Sequence, residues 1–383
     1  MKDFEYLDKS VLYFDSSCQT LRPQQVIDAM SQYYHEYNAC GGRVKYDWGI
    51  NVDEKILQTK EKVLKSLEKS RKDYVVAFTL NTTYGINLIL SQLKSSVADQ
   101  IITSEIEHNS VFLPAQTAGK RLGIPTRVLS RDDRGNLIYE KKDLEKSVVI
   151  LNTTSNIDGR MLGNAGQICK DAHEQGGLVL FDAAQTFVHA PQILNKLDFD
   201  GLFFSAHKFY GPSLGVMVVK KSLIEKLEFS FIGGGTVDDV FEHDFVLATE
   251  DLASRLEPGL QSFAQIIGFG AALDWIAAFK PKESREVLSK SLFEQVSQLP
   301  VKLINKQASP VLGFYSEKIE AHRLAIFLSA QNAMARSGYF CCHYYLKNLK
   351  QYPPLLRISL GLHNSQEQVD SLSAILKSIF SKV

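Results

Sequence analysis

The chain has 383 residues, 45% of them hydrophobic and 22% charged, and its 43 Lys plus Arg equal its 43 Asp plus Glu. With no net charge there is no bulk attraction to nucleic acid or to an anionic membrane, and no run of about 18 apolar residues offers a membrane span. Five scattered cysteines, Cys18, Cys40, Cys169, Cys341 and Cys342, include no C-x-x-C pair, which argues against a metal ribbon or a disulfide scaffold and for a reducing, cytoplasmic setting.

The chain opens on MKDFEYLDKS, without an apolar signal region. Strand candidates then follow at 74–80 (YVVAFTL), 100–105 (QIITSE), 147–153 (SVVILNT), 177–182 (GLVLFD), 199–204 (FDGLFF) and 215–221 (GVMVVKK). Several are apolar throughout, the pattern of strands buried on both faces. Amphipathic segments such as TYGINLILSQL and NAGQICKDAHEQGG lie between them. This alternation predicts an α/β domain with a mostly parallel sheet, with ligands beyond the carboxyl ends of its strands. KEKVLKSLEKSRKD and YEKKDLEKS read as solvated helix faces. After about residue 245 long helices dominate: SFAQIIGFGAALDWIAAF, ESREVLSKSLFEQVSQL, AHRLAIFLSAQNAMARSG, and a last one from Ser365 with a Ser-x-x-Gln capping box. Short strands such as LLRISLGL lie among them. The expected division is a large domain over 14–275 and a smaller α+β domain from 1–13 and 276–383.

In FSAHKFYGP an apolar strand gives way to polar and turn residues around Lys208. Asp182 ends GLVLFD, so two strand ends can offer an aspartate and a lysine to one crevice. A pyridoxal phosphate enzyme needs that pair: the lysine bonds the cofactor, and the anion keeps the pyridine nitrogen protonated so that the ring accepts electrons. Thr82 and Thr83 in LNTTYGINLI stand where a helix begins, either as a plain N-cap or as a phosphate turn. His108 in TSEIEHNS follows another strand; alone it is a weak signal for a ring-stacking partner.

Taken together, these motifs resemble the class V aminotransferase-like branch of fold-type I pyridoxal phosphate enzymes, most closely group II cysteine desulfurases and selenocysteine lyases. The resemblance runs from LYFDSSCQTLRPQQVIDAM to LRISLGLHNSQEQVD, and FDAAQTFVHAP with FFSAHKFYGPSLGVMVV is its most specific part. It implies that Lys208 bonds the cofactor and that Asp182 pairs with the pyridine nitrogen. Gln185 would donate to the phenolic oxygen, and His108 would stack on the ring. Thr82, Thr83, Ser205 and His207 would hold the phosphate. Asn156 would face the substrate and the ring oxygen, and Arg357 would clamp the substrate α-carboxylate with its guanidinium fork. A homodimer is implied, with each active site completed by the partner.

RSGYFCCHYY matches the family's Arg-x-Gly-x-x-Cys segment, with Arg336 five residues before Cys341. The resemblance implies that Cys341 takes sulfur from the substrate as a persulfide, which calls for an accessible thiol near positive charge; a buried structural cysteine is the alternative. Cys342 has no counterpart and reads as structural. Three departures bear on substrate identity. NACGGRVKYDWG replaces the usual His-Arg-Gly-x-His segment and leaves Arg43 as a candidate substrate or partner-subunit contact. SSCQ replaces a small Ala-Ala pair after the first strand's aspartate, which puts Cys18 and Gln19 near the expected pocket. Leu260 stands where a partner-subunit threonine usually reaches the phosphate, and leucine cannot donate, so Gln261 or Ser262 would have to compensate. The expected activity is conversion of L-cysteine to L-alanine with passage of sulfur to an acceptor protein or small thiol. The alternatives are a carbon–sulfur or selenocysteine lyase, an epimerase or an aminotransferase on the same scaffold, or a sulfur-carrier subunit with a vestigial site.

Overall fold

A computed structural model describes every residue except Met1, Lys9, Arg43 and Val383. Its centre is a seven-stranded sheet of β1 (Tyr74–Thr79), β2 (Gln100–Ser104), β3 (Thr126–Leu129), β4 (Ser147–Asn152), β5 (Leu178–Asp182), β6 (Gly201–Ser205) and β7 (Gly215–Lys220), in the order β1-β7-β6-β5-β4-β2-β3. β7 runs antiparallel to its neighbours β1 and β6, and the other pairings are parallel. Every residue of β4, β5 and β6 is buried. Successive side chains of a strand point to opposite faces, so Val148 and Ile150 join one apolar cluster while Val149 and Leu151 join the other.

Helices cover both faces. They are α1 (Gln24–Glu36), α2 (Asp47–Ser66), α3 (Thr82–Ser91), α4 (Asn109–Leu122), α5 (Ala165–Glu174) and α6 (Phe263–Ala278). α6 is apolar on nearly all sides and largely buried. It lies close to α1 and α2 because Gly268 and Gly270 leave room: a Cβ on them would stand 2.6 Å from Met30 Cγ and 2.5 Å from Thr59 Oγ1. The run KEKVLKSLEKSRKD spans the end of α2 and the following turn. Its Lys60 departs from the expected solvated face, since it pairs at 2.8 Å with Glu257, whose side chain is 10% exposed.

The C-terminal region holds α7 (Arg285–Ser297), α8 (Ala321–Ser329), α9 (Gln366–Phe380) and an antiparallel sheet of β8 (Lys302–Leu303), β9 (Val311–Tyr315), β10 (Arg336–Gly338) and β11 (Leu355–Ser359), in the order β8-β9-β11-β10. Ser365 caps α9 by accepting from Gln368 N, while the Gln368 side chain accepts from Asn364 instead of closing a capping box. The N-terminal chain joins this region. Leu12–Tyr13 pairs in parallel with Ala333–Met334, and Asp15 bridges Ser359. Phe14 belongs to the C-terminal core with Leu312, Phe314 and Ile358, whereas Phe4 packs against Trp275 and Tyr210 of the larger core.

Two elements differ from the sequence reading. β3 is an additional edge strand whose four residues are all half-buried, so it shows no apolar run. The segment 321–338 is one helix by periodicity, but α8 stops at Ser329. Asn332 then adopts a left-handed φ of 56°, a stop that asparagine tolerates better than most residues. The chain continues as Ala333–Met334 and β10, which places Arg336 on a strand.

Candidate active site

The carboxyl ends of β1, β2, β5 and β6 converge. After β1, Asn81 is the N-cap of α3 and accepts from Tyr84 N at 3.0 Å. Thr82 and Thr83 are therefore its first helical residues and not the cap itself. Ser205 Oγ, at the end of β6, accepts from Thr82 N at 3.0 Å and bonds Thr82 Oγ1 at 2.6 Å. Thr83 Oγ1 bonds Ser110 Oγ at 2.6 Å. The Tyr84 and Gly85 amides are held by Asn81 and the Thr82 amide by Ser205, which leaves the Thr83 amide without a hydrogen bond among the described residues; a helix N-terminus with an open amide and clustered hydroxyls suits an anion.

His108 caps α4, with Nδ1 accepting from Ser110 N at 3.1 Å, so the proton of the neutral ring is assigned to Nε2. Burial, then the charges of Lys208 and Arg357, push His108 down to about 3. The preceding Glu107 is buried in a network that the motifs did not reveal. Arg131 Nη2 donates to it at 2.5 Å, Ser104 Oγ at 2.5 Å and Asn152 N at 2.6 Å. Arg131 also donates to Asn152 O at 3.0 Å. This pair ties together the ends of β2 and β4 at the residue before His108.

Asp182 ends β5. One carboxylate oxygen accepts from Ala184 N at 2.9 Å, and the other makes no hydrogen bond among the described residues. Burial raises its pKa, against the opposing charge of Lys208. Lys208 follows β6 in a single 3-10 turn, Ala206–Lys208. Burial lowers its pKa, with Asp182 acting the other way. Burial, then Lys208, also pushes His207 down to about 4. The His207 carbonyl is held by Thr20 N at 2.9 Å. Gln185 Nε2 donates to Ser17 O at 2.8 Å, so one of its two amide hydrogens is taken.

A second cluster faces this one from the C-terminal region. Arg357, on β11, is buried and donates from Nη1 to Asn156 O at 3.0 Å and from Nη2 to Asp15 Oδ1 at 3.0 Å. Its Nε is buried without a partner. Arg336 Nε donates to the other Asp15 oxygen at 3.1 Å. The Phe340 ring lies 4.7 Å from the Arg357 guanidinium carbon, and the Phe340 carbonyl accepts from Asn156 Nδ2 at 2.8 Å. Phe340 and Cys341 take φ of 48° and 56°, and Cys341 O accepts from Asn109 N at 2.6 Å. Cys341 is exposed, Cys342 is buried, and the Cys341 thiol lies within electrostatic range of Lys208 and Arg336.

Arg43 lies outside the described residues. Leu260 is 79% exposed, and Gln261 spends its amide on the carbonyls of Glu257 and Gly259. Ser262 is the N-cap of α6 and makes no capping bond through its side chain. Asp15, Asn109, Glu107 and Arg131 escape motif reading. Asp15 alone had a signal, as the aspartate before SSCQ.

These side chains suit pyridoxal phosphate. Asp182 is a buried carboxylate with an oxygen open to a protonated ring nitrogen, Lys208 is a half-buried amine with no hydrogen bond among the described residues, and the Thr82–Ser205 cluster sits at a helix N-terminus. Fold and site together define a fold-type I pyridoxal phosphate enzyme. A family model described as aminotransferase class-V matches residues 12–372, and the chain belongs to that family. A probable cysteine desulfurase of Haemophilus influenzae is 32% identical, covering 97% of this chain and 87% of its own. One from Pyrococcus abyssi is 30% identical, covering 97% and 95%. The apo structure of a cysteine desulfurase from Thermococcus onnurineus superposes with a TM-score of 0.90 at 26% identity, over 97% of this chain and 95% of that one.

Proposed function

We propose that this enzyme is a cysteine desulfurase that converts L-cysteine to L-alanine and carries the sulfur as a persulfide on Cys341. The observation that carries the reading is Cys341 itself: an exposed thiol on a turn pinned by Asn156 and Asn109, close to the charges of Lys208 and Arg336. The Thermococcus and Haemophilus proteins, named as a cysteine desulfurase and a probable one, support it.

When bound, the cofactor supplies an electron sink for the substrate carbon. Lys208 would bond it and move the proton at the substrate Cα. Asp182 would hold the proton on the ring nitrogen, Gln185 would donate to the ring oxygen with its remaining amide hydrogen, and neutral His108 would lie against the ring. Thr82, Thr83, Ser205 and His207 would hold the phosphate. Arg357 would bind the substrate carboxylate, with Asn156 and Arg336 beside it; Arg43 is a further candidate contact. The Cys341 thiolate attacks the substrate sulfur, the carbon–sulfur bond breaks, and its electron pair returns to carbon. Alanine and a Cys341 persulfide account for all atoms of L-cysteine and the thiol, without an external oxidant.

The proposal includes a cytoplasmic homodimer, a large cofactor-binding unit over 14–275 with a smaller one from 1–13 and 276–383, with the N-terminal chain crossing between them so that Phe4 packs on the larger core and Phe14 in the smaller, and a protein or small thiol as sulfur acceptor. Exposed Trp48, Tyr46 and Leu260 support the dimer as apolar surface suited to a second copy. Product analysis from L-cysteine tests the activity. Alanine with sulfane sulfur supports the desulfurase; pyruvate and free sulfide would mean a carbon–sulfur lyase.

A further inference from the structure

We propose that Asp15 sets the charge of the substrate-anion site, so that the Arg357 pocket accepts a monoanionic carboxylate and discriminates against dianions. This rests on the reading of Arg357 as the carboxylate-binding residue.

Three charged groups form the cluster. The two oxygens of Asp15 are divided between Arg357 Nη2 at 3.0 Å and Arg336 Nε at 3.1 Å. Two cations and one anion leave a single net positive charge. The main chain of Asp15 is anchored beneath this clamp. Its carbonyl accepts from Cys18 N and Gln19 N at 3.0 and 3.2 Å, and its backbone bridges Ser359 of β11. Arg357 is equally constrained, because Nη1 gives one of its two hydrogens to Asn156 O and Phe340 lies over the guanidinium.

The donor of Arg357 left wholly without a bond is Nε, which is buried and has no partner; it shares an edge with Nη2, which gives one hydrogen to Asp15 and keeps one. An incoming carboxylate gains this edge and neutralises the one surplus charge. A second carboxylate on the same ligand finds Arg336 already paired and meets the Asp15 oxygens instead. Like charges at such range oppose binding. Asp15 thus acts as a positioning and specificity residue, through Arg357 and Arg336, without bonding the reacting atoms.

The test uses a pair of three-carbon anions that differ in one charge, propionate and malonate, titrated calorimetrically into the holoenzyme. Wild type should prefer propionate. Asp15→Asn raises the cluster to two positive charges and should move the malonate-to-propionate affinity ratio about tenfold toward malonate. Arg336→Gln lowers it to zero and should move the ratio the opposite way. The double variant restores one net charge, so its ratio should return close to wild type. A purely structural role predicts the opposite for the double variant, with both defects accumulating. Arg336 is 48% exposed, so Arg336→Gln keeps the test available if Asp15→Asn fails to fold. A ratio unmoved by either single variant, no propionate binding to wild type, or a double variant worse than both would overturn the proposal. Alanine release from L-cysteine by wild type, measured alongside, reports separately on the desulfurase reading.

Discussion

Cys341 and Cys342 are adjacent in the chain and opposite in surroundings: Cys341 is exposed at a left-handed φ of 56°, whereas Cys342 is fully buried, its thiol donating to Glu107 O at 3.2 Å. Burial pushes the Cys342 thiol well above the usual range, and a thiol that stays protonated is a poor nucleophile. Iodoacetamide should therefore modify Cys341 and exposed Cys40 first and half-buried Cys18 more slowly. It should leave Cys342 and Cys169 intact, the latter also buried, with its thiol pushed up to about 12. Peptide mass spectrometry over a time course checks the order, and rapid labelling of Cys342 would contradict it.

Lys208→Ala should fold and melt near wild type, because the side chain is only partly enclosed and Nζ holds no hydrogen bond among the described residues. It should lack the visible absorbance that a lysine-bonded pyridoxal phosphate gives. A variant with the wild-type spectrum would remove Lys208 from its proposed role.

The Glu107–Arg131 pair has side chains 0% and 3% exposed. Glu107→Gln leaves the Arg131 charge buried without its counter-ion, which costs about 3–5 kcal/mol. Replacing both partners with apolar residues of similar size should cost less than either single change. Denaturant unfolding of the singles and the double measures this. Because Glu107 precedes His108, the single variants should also bind cofactor more weakly.

Stability should depend on pH through histidines held neutral by burial. His108 is pushed down to about 3, and His207 and His363 to about 4. Unfolded histidine titrates near 6.5. Between these values the unfolded chain binds more protons, so the stability these groups contribute is present above about pH 6.5 and is lost as pH falls toward 3–4. The melting temperature of the apo protein should fall across that window. His363→Asn should flatten the fall, since this residue lies away from the proposed chemistry; an unchanged profile would show that His363 does not contribute.

The strands that position the chemistry were legible because β4, β5 and β6 are buried on both faces and read as unbroken apolar runs. Asp182 and Lys208 were legible because each follows such a run directly. β3 lacked that signal, as only half of its surface is covered. The stop at Asn332 was hidden by the alanine and methionine beyond it, which keep helical spacing while pairing as strand. The Asp15 clamp joins residues 321 and 342 positions apart, and no local pattern reports a contact of that range. Glu107 and Arg131 belong to no motif, and their pairing rests on burial between strand ends that no local pattern encodes.

The account depends most on Cys341 as the sulfur-accepting thiol. The direct measurement is single-turnover reaction of L-cysteine with wild type, Cys341→Ala and Cys342→Ala, with alanine quantified and persulfide located by mass spectrometry. Wild type and Cys342→Ala should release alanine and carry the persulfide on Cys341, while Cys341→Ala should release almost none yet retain cofactor absorbance. Alanine release by Cys341→Ala at the wild-type rate would contradict the account and favour a lyase or aminotransferase reaction on the same scaffold.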